Sequence, residues 1–366
     1  MKKLFIIAGE PSGDLHASNL VKELLQKEPS LDIEGWGGEL MSRQGVELKN
    51  HLENLSFMGF LEVVMNLRQI RKNFKLCKRQ LLDFRPDVIL MVDYPGFNLR
   101  MAKWAKRSGF KVVYYISPQI WAWKESRVES IKANVDRMYC ILPFEQEFYG
   151  KHNYQVHYMG HPLLDEIASF KSENKPLFKK DKPLISILPG SRKQEIERKL
   201  NIMLDAVSKY KDFDICVACA PNLDKGFFEK YKKKYKNIQF IFGQTYHLLS
   251  ESDYAIVTSG TATLETALFK VPQVVCYKSS HISFAIAKRI VDIKYISLVN
   301  LIMNREVVKE LIQKDATAIK IQHELDQLIG DSDYREKMLS AYNELIEILG
   351  RRGCSEKIAR DLLEQY

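Results

Sequence analysis

The sequence predicts an α/β protein with two doubly wound, Rossmann-like domains and a helical C-terminal tail. Short apolar segments rich in β-branched residues alternate with helix-length segments through most of the 366 residues. Several apolar segments are continuously hydrophobic, which is typical of parallel strands that helices cover on both faces of a sheet. A charged segment with two prolines, residues 169–183, separates the two halves as a linker would. The alternation therefore predicts parallel sheets joined by right-handed helical crossovers.

The same pattern gives the domain bounds and the strands. We expect an N-terminal domain at residues 1–168, a linker at 169–183, a C-terminal domain at 184–345 and a last helix at 346–366. We expect helices alone after Ser297. The predicted strands are Leu4–Ala8, Ile33–Trp36, Val88–Val92, Val112–Ile116, Met138–Leu142, Val156–Met159, Leu184–Leu188, Asp214–Ala218, Ile238–Phe242, Tyr254–Val257 and Gln273–Tyr277.

Composition and charge limit the functional class. With 46% hydrophobic and 28% charged residues, the chain is typical of folded proteins. Its net charge of +9 favours nucleic acid, anionic lipid or phosphorylated substrates without selecting among them. No apolar run approaches the roughly 20 residues of a membrane span, and the N-terminal run is too short for a secretory signal, so we expect a cytosolic protein. Cys216 and Cys219 lie in a segment typical of a buried strand rather than a zinc site.

One strand-to-helix junction in the second half is a candidate phosphate site. A predicted strand leads into four small residues, Ser259, Gly260, Thr261 and Ala262. Small residues let the backbone approach a ligand, and the free N–H groups that begin a helix can hold phosphate oxygens. Glu265, in the first turns of the helix, can accept hydrogen bonds from ribose hydroxyls. An ordinary capped helix is the alternative, and both interpretations can hold together.

A second junction has the same form. The strand before Gly190 and Ser191 ends in a Gly-Ser turn, which is followed by Arg192 and a charged helix. A guanidinium group suits phosphate geometry, so Arg192 can neutralise a leaving diphosphate. The pattern is neither a Walker A loop nor a dinucleotide fingerprint, and thus it indicates neither ATP nor NAD. An ordinary turn with a surface arginine is the alternative.

Two junctions in the first half carry acidic groups. Asp93 directly follows five apolar residues of a predicted strand. A partly desolvated carboxylate there has a raised pKa and can act as a general base, although a turn-stabilising Asp is the alternative. At the first junction, Glu10, Ser12, Gly13 and Asp14 form a polar, glycine-containing loop. This loop is either a substrate contact or a plain capped turn.

Three further features bear on the ligands. Residues 56–72 are apolar and then basic, as in an interfacial helix, although a core-facing helix with a basic exposed side has the same pattern. Trp121 and Trp123 follow another predicted strand and either line an apolar or sugar pocket or pack in the core. Neither Asp-x-Asp triplet, at 212–214 or 331–333, falls at a strand end, so we expect no required metal and no cofactor.

Several motifs together resemble the lipid-A-disaccharide synthase family. They occur in order over nearly the whole chain, and their joint occurrence is specific although none is decisive alone. The motifs are Ala8–Asp14 (AGEPSGD), Met58–Gly59, Val92–Asn98 (VDYPGFN), Ser117–Trp123 (SPQIWAW), Leu142–Glu145 (LPFE), Leu188–Arg192 (LPGSR), Ser259–Glu265 (SGTATLE) and Ser297–Leu301 (SLVNL).

The resemblance implies a GT-B glycosyltransferase, with its two Rossmann-like domains facing each other across a cleft. This family of Gram-negative bacteria joins UDP-2,3-diacylglucosamine to 2,3-diacylglucosamine 1-phosphate (lipid X). The products are a β(1→6)-linked lipid A disaccharide phosphate and UDP, with inversion at the donor carbon. By the same resemblance, Asp93 matches the catalytic acid–base position. We also expect a catalytic role for Arg192, which matches the UDP side of the family.

The resemblance also assigns binding residues and partners. On the UDP side it places Gly190, Ser191, Arg192, Ser259, Gly260, Thr261, Ala262, Glu265 and Asn300. On the acceptor side we expect Glu10, Ser12, Gly13, Asp14, Met58 and Trp121. The family is peripheral to the cytoplasmic face of the inner membrane, which fits the apolar and basic residues 56–72 and the charge of +9. Its members can exchange C-terminal helices in a homodimer, which the tail after Ser297 would allow. The alternative is that the last helix returns to the N-terminal domain of its own chain.

Two other functions fit some of these features. A UDP-sugar epimerase, or another UDP-sugar transferase on the same fold, would use the same nucleotide site but needs no surface for acyl chains. A non-catalytic, basic nucleic-acid-binding protein would show a contiguous basic face and salt-sensitive binding. The sequence has no RNA-binding motif, and that function leaves the motifs at the strand ends unexplained. We therefore expect no nucleic-acid partner.

Overall fold

The computed structural model describes residues 1–55, 67–122, 124–173, 182–221, 223–280 and 294–366. It divides into two compact units, each with its own parallel sheet. Unit 1 comprises Met1–Asp165 and Arg351–Tyr366, and unit 2 comprises Glu166–Gly350. No helix among the described residues is both long enough and apolar enough to cross a membrane.

Unit 1 is built on a parallel sheet of seven strands in the order β3-β2-β1-β4-β5-β6-β7. The order shows a doubly wound sheet, which extends in both directions from β1. Alternate residues of β1 enter two separate hydrophobic clusters, one on each face of the sheet. The strands are β1 (Lys3–Ala8), β2 (Asp32–Gly37), β3 (Glu47–His51), β4 (Val88–Val92), β5 (Lys111–Tyr115), β6 (Arg137–Cys140) and β7 (His157–Tyr158).

The helices of unit 1 cover both faces of this sheet. Several begin directly at a strand end, which brings their first turns to the carboxyl edge of the sheet. They are α1 (Pro11–Lys27), α2 (Glu39–Arg43), α3 (Leu67–Phe84), α4 (Pro95–Arg107), α5 (Val128–Asn134) and α6 (Glu145–Gly150). Helix α7 (Pro162–Glu173) begins in unit 1 and ends in unit 2.

Unit 2 repeats the plan with six parallel strands in the order β10-β9-β8-β11-β12-β13. The strands are β8 (Leu184–Leu188), β9 (Asp214–Cys219), β10 (Gln239–Phe242), β11 (Tyr254–Thr258), β12 (Gln273–Tyr277) and β13 (Lys309–Ile312). The described helices are α8 (Lys193–Val207), α9 (Lys225–Lys234), α10 (Thr245–Glu251), α11 (Thr261–Leu268), α12 (Leu298–Met303), α13 (Ala318–Gly330) and α14 (Ser332–Leu349).

The last helix, α15 (Cys354–Gln365), belongs to unit 1 and packs against α1. The Asp165 carboxylate accepts hydrogen bonds from the backbone N–H of Gly353, at 2.5 Å, and of Ser355, at 3.3 Å, at the start of this helix. Further along it, Arg137 makes two hydrogen bonds of 2.6 Å to the Asp361 carboxylate. Both side chains are mostly buried, so this charge-assisted pair is a strong attachment.

The predicted strands and the observed strands agree closely, with two omissions. All eleven predicted segments contain a strand, but β3 and β13 were not predicted. The prediction of helices alone after Ser297 was wrong, because the short segment Lys309–Ile312 pairs with β12. The two charged residues of this segment interrupt the apolar pattern that is typical of a strand. The strand depends on its neighbour β12 for its hydrogen bonds. The first residues of the predicted linker at 169–183 belong to α7, and residues 174–181 lie outside the described residues.

Candidate active site

The carboxyl end of β4 carries Asp93 on a sharply turned backbone. Asp93 and the next residue, Tyr94, have positive φ angles of 47° and 50°, which side chains other than glycine rarely adopt. Neighbouring groups hold the turn, since the Asp93 N–H donates to Tyr115 at 2.9 Å. Its carbonyl accepts from the amide of Asn98, at 2.8 Å, and from the hydroxyl of Tyr114, at 2.6 Å. Such over-determined backbone strain is concentrated at functional sites.

The Asp93 carboxyl is desolvated and faces a second acid. Burial, the larger cause, and the negative charge of Glu10 together raise its pKa from 3.8 to about 7, although a hydrogen bond from the Tyr94 backbone opposes the rise. Residues Ala8 and Val92 are paired in the sheet, so the residues that follow them, including Glu10 and Asp93, emerge side by side. A carboxyl with a pKa near neutrality has the ionisation that a general base requires.

The glycine-containing loop after β1 is packed tightly against this turn. A Cβ atom at Gly9 would lie 2.2 Å from the Tyr94 ring, so the chain requires glycine there. Gly13 lies over the ends of β1 and β4, and Ser12 is exposed. Asp14 is buried and accepts hydrogen bonds from three backbone N–H groups in the loop and first turn around α2. The contacts of Asp14 are therefore those of a structural cap.

A buried acid lies at the ends of β5 and β6. Burial raises the pKa of Glu145 to about 7, and the Ser117 hydroxyl and the Trp121 indole both act to lower it. The Glu145 carboxylate accepts from the backbone N–H of Leu142 at 2.9 Å. The hydroxyls of Ser117 and Tyr149 are 2.8 Å apart. Trp121 lies at the same edge of the sheet as Asp93, but its indole nitrogen is buried and makes no hydrogen bond within the described part of the chain. Met58 and Trp123 lie outside the described residues.

In unit 2, the turn after β8 presents an exposed arginine. Gly190 has a φ of 104°, a conformation that favours glycine, and a Cβ there would lie 3.1 Å from Thr258 at the end of the neighbouring strand. Ser191 is exposed. Arg192 is the N-cap residue directly before α8, with 64% of its side chain exposed, and its ion pair with Glu195 measures 3.5 Å. An exposed pair of this kind is weak, so the guanidinium is able to turn to an anion.

The turn after β11 lies beside the turn after β8, because Val257 and Leu188 are paired in the sheet. Gly260 precedes α11 with a φ of 144°, which is essentially restricted to glycine in combination with its ψ of −164°. The Ser259 hydroxyl donates to the carbonyl of Ile296 at 2.7 Å. Thr261 is exposed and Ala262 is partly exposed at the first turn of the helix. The small residues therefore leave the N–H groups of this turn accessible.

Glu265 has an acidic neighbour. Its carboxylate accepts a 3.0 Å hydrogen bond from the Tyr246 hydroxyl, which is also within hydrogen-bonding reach of Glu166 on α7. Burial, the larger cause, and the charge of Glu265 together raise the pKa of Glu166 to about 7. Burial also raises the pKa of Glu265, which the Tyr246 hydrogen bond opposes. Both carboxyls therefore ionise less readily than an exposed glutamate does.

Asn300 is fully buried and its amide group is occupied by unit 2 itself. Its Nδ2 donates to Val308 at 2.8 Å and to Glu310 at 2.9 Å, and its Oδ1 accepts from the N–H of Val307 at 2.7 Å. Glu310 in turn accepts from the N–H groups of Ile296 and Ser297. Through Glu310, Asn300 thus supports the backbone at Ile296, whose carbonyl accepts the hydrogen bond from Ser259.

Two residues at these turns were missed by sequence reasoning. Lys199 on α8 is 3% exposed, and its ammonium donates to the hydroxyl of Thr258. A lysine among the apolar positions Ile196, Leu200 and Met203 of an amphipathic helix is the signal that could have indicated it. Glu166 carries no such signal, because its relation to Glu265 depends on tertiary packing. Among the described residues, no group of three or more His, Cys, Asp or Glu side chains could hold a metal ion.

A family model described as Lipid-A-disaccharide synthetase matches residues 4–360. The chain belongs to the lipid-A-disaccharide synthase family. A lipid-A-disaccharide synthase of Coxiella burnetii (strain Dugway 5J108-111) is 36% identical over 367 residues, which covers 98% of this chain and 97% of the relative. That of Syntrophus aciditrophicus (strain SB) is 36% identical over 369 residues, covering 98% and 96%. The resemblance carried by the motifs is confirmed, and the chain is an enzyme of the glycosyltransferase class.

Solved structures share the fold of this member of the lipid-A-disaccharide synthase family. A UDP-GlcNAc 2-epimerase from Neisseria meningitidis superposes with a TM-score of 0.68 at 16% identity, covering 99% of this chain and 100% of that one. The glycosyltransferase of kitacinnamycin superposes with a TM-score of 0.69 at 13% identity, covering 100% and 98%. The GT-B prediction is therefore confirmed. At these identities the likeness concerns the fold alone.

Proposed function

We propose that the enzyme joins UDP-2,3-diacylglucosamine to 2,3-diacylglucosamine 1-phosphate, forming the β(1→6) disaccharide phosphate and UDP. The 6-hydroxyl oxygen of the acceptor attacks the anomeric carbon of the donor, and the bond from that carbon to the diphosphate oxygen breaks. The hydroxyl proton passes to a carboxylate, and UDP leaves with the electron pair. A single displacement of this kind inverts the donor carbon.

The observation that carries this proposal is the environment of Asp93. The reaction needs a base that is ionised near neutral pH and basic enough to accept a hydroxyl proton. Burial and the charge of Glu10 raise the pKa of Asp93 to about 7, which meets both requirements. The hydrogen bonds that Asn98 and Tyr114 make to its carbonyl keep the carboxyl on a rigid support. We therefore assign Asp93 as the general base, with the loop from Glu10 and Trp121 on the acceptor side.

The proposed donor groups lie in unit 2. Arg192 would pair with the diphosphate, since its guanidinium is exposed and carries two donors in one plane. The N–H groups from Ser259 to Ala262 would hold phosphate oxygens at the start of α11. Glu265 would accept hydrogen bonds from the ribose hydroxyls. Arginine and backbone N–H groups neutralise the leaving UDP in this scheme, so the reaction needs no metal.

The test is an assay with purified protein, detergent, UDP-2,3-diacylglucosamine and radiolabelled lipid X, followed by chromatography. We expect a labelled disaccharide phosphate and one UDP per product, with and without a chelator. Asp93→Asn should lower kcat by about 100-fold or more, whereas Asp83→Asn, an exposed acid of α3, should not. Arg192→Ala should lower the rate, whereas Arg198→Ala on the exposed side of α8 should have little effect. Tight UDP binding without disaccharide would refute the proposal and favour epimerisation of a UDP-sugar.

We also propose that the enzyme binds the anionic cytoplasmic face of the inner membrane through residues 56–72. Residues 56–66 lie outside the described part. The continuing helix α3 presents four basic side chains at helical spacing around one surface pocket: Arg68, Arg71, Lys72 and Lys75. Each basic group near an anionic surface contributes about 1 kcal/mol. The protein should co-sediment with vesicles that contain phosphatidylglycerol and should not co-sediment with neutral vesicles. The double variant Arg68→Glu, Arg71→Glu should lose this co-sedimentation.

A homodimer with exchanged C-terminal helices is the oligomer that we propose. Helix α15 is held by Arg137 and Asp165, and these contacts would be unchanged if the helix came from a second copy. Gly350 and Gly353 lie in the connection that precedes the helix, with positive φ angles of 83° and 90°, which allows the connection to change direction. Light scattering should give twice the chain mass, and a truncation before Arg351 should give monomers or unfolded protein. A monomeric mass for the intact chain would contradict the proposal.

A further inference from the structure

Unit 2 contains one lysine whose burial the residues described above do not explain. Lys199 is 3% exposed, although lysine is almost never fully buried unless it is paired. Within the described part of the chain, the hydroxyl of Thr258 is its hydrogen-bond partner, and Glu195 acts on it only through its charge. Burial of an ammonium group without a carboxylate contact is costly in free energy. An anion that arrives near this group would remove much of that cost.

The partner of Lys199 joins the two candidate phosphate turns. Thr258 is the last residue of β11 and directly precedes Ser259 and Gly260. Its methyl group would lie 3.1 Å from a Cβ atom at Gly190, so its side chain also touches the turn after β8. Its hydroxyl lies 3.4 Å from the carbonyl of Cys276, to which it donates, and the remaining lone pairs can accept from Lys199. The Thr258 side chain thus links the Lys199 ammonium group to both turns.

We propose that Lys199 is a positioning residue for the diphosphate of the sugar nucleotide, holding Thr258 between the two turns and supplying buried positive charge beneath them. This inference rests on the proposed donor site. It adds a residue that does not touch the reacting atoms. In the apoprotein the charge of Glu195 offsets part of the cost of burying the ammonium, and in the complex the diphosphate adds to this through the low-dielectric interior.

Burial lowers the pKa of Lys199, while the charge of Glu195 acts against this. The groups that face the ammonium are Glu195 on its own helix, Thr258 on β11 and Cys276 on β12. The pKa of Cys276 is raised to about 12 by burial, so its thiol is neutral here. A nearby diphosphate raises the pKa of a lysine. UDP binding at alkaline pH should therefore be accompanied by proton uptake.

Lys199→Met tests the inference, because methionine keeps an unbranched side chain and removes the charge. Calorimetric titration with UDP, in two buffers of different ionisation enthalpy, measures affinity and proton uptake together. We expect affinity to fall about tenfold, which is about 1.4 kcal/mol, and the alkaline proton uptake to disappear. The melting temperature without UDP should stay the same or rise, since a buried charge without a carboxylate contact is gone. Lys230→Met, which removes an exposed lysine paired with Glu197, should change none of these quantities.

The outcomes separate the inference from the proposal on which it rests. Wild-type affinity and proton uptake in Lys199→Met would overturn the inference and leave the donor site intact. A parallel fall of affinity and melting temperature would also overturn it, because that result indicates a packing role alone. If the wild-type protein does not bind UDP, the proposed donor site fails, and the inference fails with it.

Discussion

Replacing Glu10 by glutamine should lower the pKa of Asp93 and move the acidic limb of the activity profile. The pKa of Asp93 rises from 3.8 to about 7, which corresponds to about 4 kcal/mol against its ionisation. Burial is the larger cause and the charge of Glu10 the smaller one. We therefore expect Glu10→Gln to lower the pKa of Asp93 by about one unit, or about 1.4 kcal/mol.

The assay is the pH dependence of kcat/KM, which reports ionisations of the free enzyme and the free substrate. The acidic midpoint of the wild type should lie near pH 7, where Asp93 loses its proton. The acceptor phosphate itself ionises at about pH 6, so the same substrates must be used for each variant. The difference in the acidic midpoint between two variants then reports an ionisation of the enzyme and not of the substrate. Glu39→Gln, an exposed acid of α2, is the matched control and should leave the midpoint unchanged.

Stability provides a second measurement that does not depend on turnover. The folded state raises the pKa of Asp93 above its unfolded value, so the folded protein binds more protons and loses stability as pH rises from about 4 to about 7. Asp93→Asn cannot ionise and should therefore be more stable than wild type above pH 7, by at most about 4 kcal/mol. The two should have equal stability below about pH 4. An unchanged midpoint in Glu10→Gln, with no stabilisation in Asp93→Asn, would refute the assignment of Asp93 as a desolvated base.

Three further predictions concern other parts of the molecule. Asp361→Ala should lower the free energy of unfolding by about 2–3 kcal/mol in urea titrations, because Arg137 is left without its mostly buried partner. Gly260→Ala should lower the free energy of unfolding by about 1–3 kcal/mol, since its φ of 144° strains any side chain, and should weaken UDP binding measured by calorimetry. Glu265→Gln should lower the pKa of Glu166 from about 7, because the charge of Glu265 helps to raise it, and should weaken UDP binding, measured by calorimetry as a function of pH.

Each of these has a matched control. Glu356→Ala on α15 removes an exposed pair and should cost less than about 1 kcal/mol. Gly330→Ala replaces a glycine with open space around it and should leave UDP binding unchanged. Glu229→Gln, an exposed acid on α9, should not alter the pH dependence of binding. Equal effects in a variant and its control would contradict the corresponding prediction.

The strands and the chemically important junctions could be predicted from the sequence because both depend on local patterns. A continuously apolar strand such as Val88–Val92 must be buried on both faces wherever it lies, and a parallel sheet is the arrangement that achieves this. An acid or a glycine-rich turn directly after such a strand must then emerge at the carboxyl edge. Asp93 and Gly260 were located in this way. Strand β13 was missed because its pattern is weak without its neighbour β12.

Only the tertiary structure decided which of the polar residues are free for chemistry. Asp14 and Asn300 belong to the same motifs as the site residues, but their oxygens are occupied by backbone N–H groups of neighbouring segments. Lys199 and Glu166 belong to no motif. Packing brings Lys199 to Thr258 and Glu166 to Glu265. A local sequence pattern indicates whether a segment forms a helix, a strand or a turn. Desolvation and charge, which set the pKa of Asp93, come from groups far apart in the sequence that the fold brings together.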